Sequence, residues 1–383
     1  MFMLKPLTFA VLIAFTGHAM AANHSATQTQ KGNNNEVTLD QSGEGNTATQ
    51  LQTGDLNRSA ILQSGNGNLA GTTQEGTGHS IDVSQTGNTN TVSVYQSSSG
   101  EAAIASVTQV GDSNMAALNQ LSSYGPNDAT LYQEGNNNTH LVEQGSQAYN
   151  ALSASTTGND NIVNVVQTTG KSAELRQFGD SNQIVLNQQG GPLDASAAIS
   201  QTGDQNFAAV DQWSGSRYEQ YGLALIQDGT ANAATINQGG GLNSMDVRQS
   251  GNNNELFVDQ GAISGSISGH SSGSNNIADI RQADYLTRTN YAQEGDANSL
   301  TVSQNGNRSQ ADLTQLGTSN EITVSQTGSG EIIYDNGNAA TVLQNGTANI
   351  ASITQQIADS SLAGHAATVS QTGTGNRATI VQQ

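Results

Sequence analysis

Gln85-Thr-Gly-Asn-Thr-Asn-Thr-Val-Ser-Val-Tyr-Gln96 is the stretch on which the fold turns. Asn90, Val92, Val94 and Gln96 alternate with Thr91, Ser93 and Tyr95, a period of two that predicts a β-strand with amides and apolar groups on one face. Before the strand, Gly87 and two polar residues predict a turn, because glycine accepts a positive φ without a Cβ clash. Eleven residues separate Gln85 from Gln96. The same interval separates glutamines 30, 41, 52, 63, 74, 85 and 96, so the stretch is one unit of a repeat.

The full unit is a Gln with Gly two and Asn five residues on, and a further Gln at eleven. It starts 15 times. The first four units are contiguous: Gln30, Gly32, Asn35; Gln41, Gly43, Asn46; Gln52, Gly54, Asn57; and Gln63, Gly65, Asn68. Beyond them come Gln85, Gly87, Asn90; Gln109, Gly111, Asn114; Gln133, Gly135, Asn138; and Gln177, Gly179, Asn182. The central part holds Gln201, Gly203, Asn206; Gln227, Gly229, Asn232; and Gln249, Gly251, Asn254. The last four are Gln293, Gly295, Asn298; Gln315, Gly317, Asn320; Gln344, Gly346, Asn349; and Gln371, Gly373, Asn376, closing on Gln382. Four more intervals carry one substitution each: His79 and Ser309 at the Asn place, Thr156 and Ser271 at the leading Gln place.

From Gln85 onward strong units mostly alternate with weaker intervals that still end on Gln, such as 96 to 109 and 188 to 201. The structural unit is therefore a pair of about 22 residues: strand, turn, strand, turn. Pro126 and Pro192 fall in the longer intervals, where a missing N–H is tolerated in a connecting arc. Counted this way, the chain holds about 15.5 rungs of an all-β solenoid, starting with a half rung at Gln30.

Composition alone points elsewhere. The chain has 383 residues, a net charge of −20 and few large aliphatics, a balance at which disorder is the default for an unpatterned sequence. Patterning reverses that expectation. Stacking the rungs about 4.8 Å apart sets Gln over Gln and Asn over Asn, so that each buried amide finds donors and acceptors above and below it. Without such partners each would cost roughly 1 to 3 kcal/mol. Small residues seven places after the Gln, such as Ala208 and Ala234, and larger ones at nine, such as Val210 and Ile236, fill the thin space between two sheets.

Lys5, the apolar run Leu7 to Phe15 and Ala19-Met20-Ala21 read as a secretory signal peptide over residues 1–21. Residues 22–29 form a short segment before the repeats, which occupy 30–383. No cysteine is present, so a secreted chain of this kind holds itself together without disulfides. Its acidity argues against nucleic acid and anionic lipid as partners.

The unit Gln-x-Gly-x-x-Asn-x-Ala-x-x-x-Gln, unaltered at Gln201 to Gln212, Gln344 to Gln355 and Gln371 to Gln382, resembles the curlin repeat of curli fibre subunits. The resemblance spans about residues 30–383. It implies a secreted structural subunit of an amyloid fibre of biofilm and surface adhesion on a Gram-negative-type bacterium. It further implies export through an outer-membrane channel with accessory chaperones and nucleation by a minor subunit. The matching Gln, Gly and Asn positions are then stacking and turn residues. This chain departs from the family in its larger number of repeats and its short segment before them; its regular last repeat favours a major subunit over a nucleator.

The run Arg377 to Gln383 still reads as a strand, with no polar cap expected on it, and such an open edge templates further strands. The alternatives are a monomeric adhesin or ice-binding solenoid and a disordered matrix protein. An ice binder needs a regular outward Thr row, whereas the tenth place reads Asp40, Leu51, Leu62, Thr73, Ser84 and Tyr95. No catalytic, metal-ligating or cofactor-binding constellation is expected. His140, at an inward place, is expected to be a tolerated packing defect, and Trp213 and Tyr218 share one long arc.

Overall fold

The computed structural model describes residues 23–145, 149–190, 195–214, 221–328, 337–357 and 364–383. The expected signal peptide, Pro192 and Tyr218 lie outside them. The described residues form 31 strands and no helix, from β1 (Ser25–Lys31) and β2 (Glu36–Glu44) to β30 (Ala366–Thr374) and β31 (Arg377–Gln382). Odd-numbered strands make a 16-stranded sheet and even-numbered strands a 15-stranded one. All pairings are parallel and link each strand to the strand two further on, as β1 does with β3 (Thr47–Asp55). The chain is an all-β solenoid with rungs about 22 residues apart.

Register follows the repeat. Gln41 pairs with Gln63, and Gln52 with Gln74, so identical residues lie over one another. One expectation changes at the start: residues 25–29, read above as part of a segment preceding the repeats, already belong to β1 and pair with β3. Their sequence, Ser-Ala-Thr-Gln-Thr, alternates like the later strands, although no Gln-x-Gly unit precedes it within the described residues.

The two edges of the solenoid differ. Every arc leaving the even sheet is the tight Gln-x-Gly-x-x-Asn type or a one-residue variant of it. Arcs leaving the odd sheet are tight at Gln30 to Asn35, Gln52 to Asn57 and Gln74 to His79, and vary afterwards. The intervals that follow Gln96, Gln120, Gln188 and Gln212 are longer, that after Gln167 is one residue shorter, and those after Gln238, Gln260, Gln282 and Gln304 keep the repeat length. An insertion inside a strand would shift every later side chain to the opposite face; placed in an arc, it leaves register untouched. The arc between β9 (Met115–Ser122) and β10 (Asn127–Glu134) holds Pro126 in this way.

Between the sheets lies a layer of inward side chains: Asn, a residue at the seventh place, one at the ninth, and Gln. Ala208, Val210, Ala234, Ile236, Ala278 and Ile280 are all buried. The first odd strands differ, with Gln28, Gln50 and Thr72 at the ninth place. Gln28 donates to Gln50 at 2.9 Å, Gln50 to the Ser59 carbonyl at 3.0 Å, and Ser59 and Thr72 share a hydroxyl hydrogen bond at 2.9 Å. The core is therefore more polar over these rungs than over most of the later ones.

Candidate functional site

The residues singled out by the repeat come together as continuous ladders. Along the odd sheet, sixteen glutamines from Gln30 to Gln382 are joined by Nε2–H to Oε1 hydrogen bonds of 2.8–3.1 Å, without a gap. In most members the second Nε2 hydrogen reaches a backbone carbonyl of the facing sheet, as Gln52 does with Glu36 at 2.9 Å. That contact fixes which end of those amides is nitrogen, and with them the sense of the ladder, whose donors point toward the C-terminal rung. Many members of this ladder, among them Gln96, Gln120, Gln144 and Gln188, stand at the eleventh place of a full unit and open a weak interval. Their sequence signal is that closing eleventh place, since the interval that follows them does not carry both the Gly and the Asn of the motif.

The even sheet carries the second ladder. Gln41, Gln63, Gln85, Gln109 and Gln133 are linked, as are Gln177 through Gln249 and Gln293 through Gln371, at 2.7–3.2 Å. It is interrupted at Thr156 and Ser271. Each interruption is filled from elsewhere. Thr156 Oγ1 donates to Gln177 Oε1 at 3.2 Å, and the His140 ring, crossing from the odd sheet, meets Thr156 Oγ1 through Nε2 at 2.8 Å. Because the threonine hydrogen is committed, His140 Nε2 carries the donated proton, and its buried Nδ1 meets no hydrogen-bonding partner. Burial lowers the pKa of His140 to about 3. The histidine expected as a packing defect is thus a polar filler opposite a shortened ladder residue. Ser271 Oγ donates to Gln293 Oε1 at 2.7 Å, and the adjoining space is occupied by the buried ring of Tyr291.

Asparagine builds the expected amide-on-amide stack, with Nδ2–H to Oδ1 hydrogen bonds of 2.9–3.2 Å between successive rungs over most of its length, and adds backbone contacts to it. On the tight edge, fifteen asparagines from Asn46 to Asn376 form one series. Each Oδ1 accepts the backbone N–H of the next Asn at 2.8–3.1 Å. Each Nδ2 donates to the glycine carbonyl of the next rung at 2.6–3.0 Å. Asn161 and Asn276 belong to this series although their leading Gln is replaced. On the other edge Asn35 and Asn57 begin a similar series, continued by His79: its backbone N–H donates to Asn57 Oδ1 at 3.0 Å, and its Nδ1 accepts the Ala103 N–H at 3.0 Å. Histidine imitates asparagine there, and burial holds its pKa below the ordinary value.

The glycines complete the tight edge. From Gly43 to Gly373 they adopt φ of 97–131°. A Cβ on Gly43, Gly65 or Gly111 would sit about 2 Å from the carbonyl oxygen of the next rung's glycine (2.1, 2.0 and 2.1 Å). Glycine is thus required twice, by conformation and by the close stacking of backbones. Two residues on, Thr89, Ser113, Asn137 and Ala231 take φ of 55–58° without being glycine. Between them runs an exposed row that the motif does not disclose. Asn88 N–H donates to Asp112 Oδ1 at 2.8 Å, Asp112 N–H to Asn136 Oδ1 at 3.0 Å, and Asn159 N–H to Asp180 Oδ1 at 2.7 Å.

Among the described residues no group of three or more His, Asp or Glu could hold a metal ion. Among the concave spaces are shallow grooves on the sheet faces, such as that lined by Thr130, Ser153 and Ala198, and a hollow at the last rung lined by Gln371, Asn376 and Ile380.

A parallel β-solenoid whose core is held by amide ladders is the class these features define. The curlin associated repeat matches residues 32–65, 57–87, 65–97 and 295–328, and the chain is a curlin-repeat protein. No curated protein matches it. The family suggests a non-enzymatic, self-assembling protein.

Proposed function

We propose that this protein is a structural subunit of an extracellular curli-like amyloid fibre that supports biofilm matrix and surface adhesion, its rungs stacking between copies. The supporting observation is the gapless odd-sheet glutamine ladder. A rung in such a ladder satisfies its donors only against a rung on one side and its acceptors only against a rung on the other. A second copy supplies what an outermost rung requires, using the same backbone and side-chain bonds that hold the solenoid together. Secretion behind a cleaved leader, an outer-membrane channel with chaperones and a nucleating subunit belong to this reading, carried by the curlin resemblance.

The experiment is to release the purified chain without residues 1–21 from denaturant at neutral pH. Fibres with diffraction near 4.8 Å along the axis and about 10 Å across it are expected. A persistent monomer with strand-type dichroism would overturn the proposal.

A further inference from the structure

Identical ladders leave a register problem. A strand displaced by a whole rung meets the same glutamines, asparagines and backbone groups, so the hydrogen bonds do not distinguish correct from shifted stacking. Two rungs are not interchangeable with the others. In β22 (Ser266–Ser274), Gly269 stands at the ninth place, and its partner in β24 (Arg288–Asp296) is Tyr291. A Cβ on Gly269 would lie 2.3 Å from Tyr291 Cδ1 and 2.6 Å from Cε1. Every other even strand presents a side chain at this place, Val247 in β20 (Ser244–Asn252) among them, and the odd strands present no glycine there. The same rung has Ser271 where the ladder has Gln, freeing further room beside the ring. Independently, His140 packs against Thr156, a residue shorter than the Gln of other rungs, and closes on it with a 2.8 Å hydrogen bond.

We infer that Tyr291 with Gly269, and His140 with Thr156, are register keys: matched large and small core residues that select one stacking partner along an otherwise repetitive solenoid. Looping out a rung that contains β22 would set β24 on β20 and drive the Tyr291 ring into Val247, in a core without space for it. Likewise, with β11 (Thr139–Gln144) in place, a strand bearing Gln in place of Thr156 would meet the His140 ring. Both keys lie in the interior of the chain, where slippage would otherwise satisfy every ladder.

The absence of cysteine makes the shift directly measurable. On the outer face Asp246 pairs with Ser268 and Ser268 with Asn290. Asp246 and Asn290 are therefore two strand spacings apart, about 9.6 Å, beyond the roughly 7 Å that a disulfide spans. The full chain carrying Asp246→Cys and Asn290→Cys is refolded under oxidising conditions, and the monomer is analysed by mass spectrometry. With the native core, the intrachain disulfide is expected to be nearly absent. In the background Gly269→Val, Ser271→Gln, Tyr291→Val, which restores the common rung, its yield is expected to rise about fivefold or more, reflecting the overpacking removed. The pair Asp246→Cys, Ser268→Cys closes in both backgrounds and reports native stacking. Tyr291→Val alone, which needs no new packing at residue 269, keeps the test open if the triple variant does not fold. Equal yields of the 246–290 disulfide with and without Tyr291, including none in either, would overturn the assignment.

Discussion

At the scale of single residues, the stacked glycines carry the strictest demand. Gly295→Ala places a Cβ 2.1 Å from the Gly317 carbonyl oxygen at a φ of 111° and is expected to cost at least about 2 kcal/mol in denaturant unfolding. Gly45→Ala offers the contrast. Its φ is 67° and the nearest atom to the added carbon is 4.0 Å away, so an effect of about 1 kcal/mol or less is expected. Histidine sets the pH response. The folded pKa of His140 lies far below its ordinary 6.5, so the folded state binds fewer protons than the unfolded one. Its contribution is complete above about pH 6.5 and is lost as pH falls toward 3; His79 acts in the same sense. Unfolding midpoints measured from pH 7 to 4 are expected to fall less steeply in His140→Ala, Thr156→Gln, which exchanges the buried imidazole for a ladder amide.

A strand in this protein is a carrier of ladder positions more than an independent unit. Gln212→Leu keeps the volume near that of glutamine but leaves the Gln188 donor and the Gln238 acceptor facing a hydrocarbon. A loss of roughly 1 to 3 kcal/mol for each stranded neighbour is expected in equilibrium unfolding. Replacement of an outward residue on the same strand, such as Ala209→Ser, is expected to change stability by no more than about 0.5 kcal/mol. Equal effects at the two positions would show that the amides are not stabilising the core. The arcs follow a different rule. Tight arcs bond rung to rung through Asn and Gly, whereas the arc 97–103 takes up insertion outside the ladder, with Ser98 Oγ closing it onto the Glu101 carbonyl at 3.0 Å.

For the whole molecule, each rung touches only its neighbours, so stability is the sum of many similar interfaces and cooperativity is local. Hydrogen exchange read by mass spectrometry is expected to show long protection in the interior strands, for example Ile162–Gln167 and Ala233–Gln238, and fast exchange at 97–103 and 121–126. A single protection level from end to end would contradict that picture. Fibre growth, in this view, adds interfaces of a kind the monomer already contains.

The solenoid was legible in the sequence because its period is written in residues that backbone stacking leaves little freedom to change. Gly at the second place, Asn at the fifth and Gln at the eleventh recur wherever a rung closes, and alternation gives the strand and its inner face. The Gln-on-Gln and Asn-on-Asn contacts followed from the repeat, but contacts between unlike residues of different rungs were not legible. Nothing in the spacing shows that an Asn stacked on Asn also bridges a backbone N–H and a glycine carbonyl, as Asn254 does; that depends on how close the turn brings successive backbones. Nor does it show that Thr156 and His140, sixteen residues apart and on facing sheets, compensate one another, or that Gly269 is vacant for Tyr291. Sequence determined the repeat because repetition is local. Tertiary structure decided the exceptions, because a missing volume can be filled only by a residue that the fold, and not the chain, places beside it.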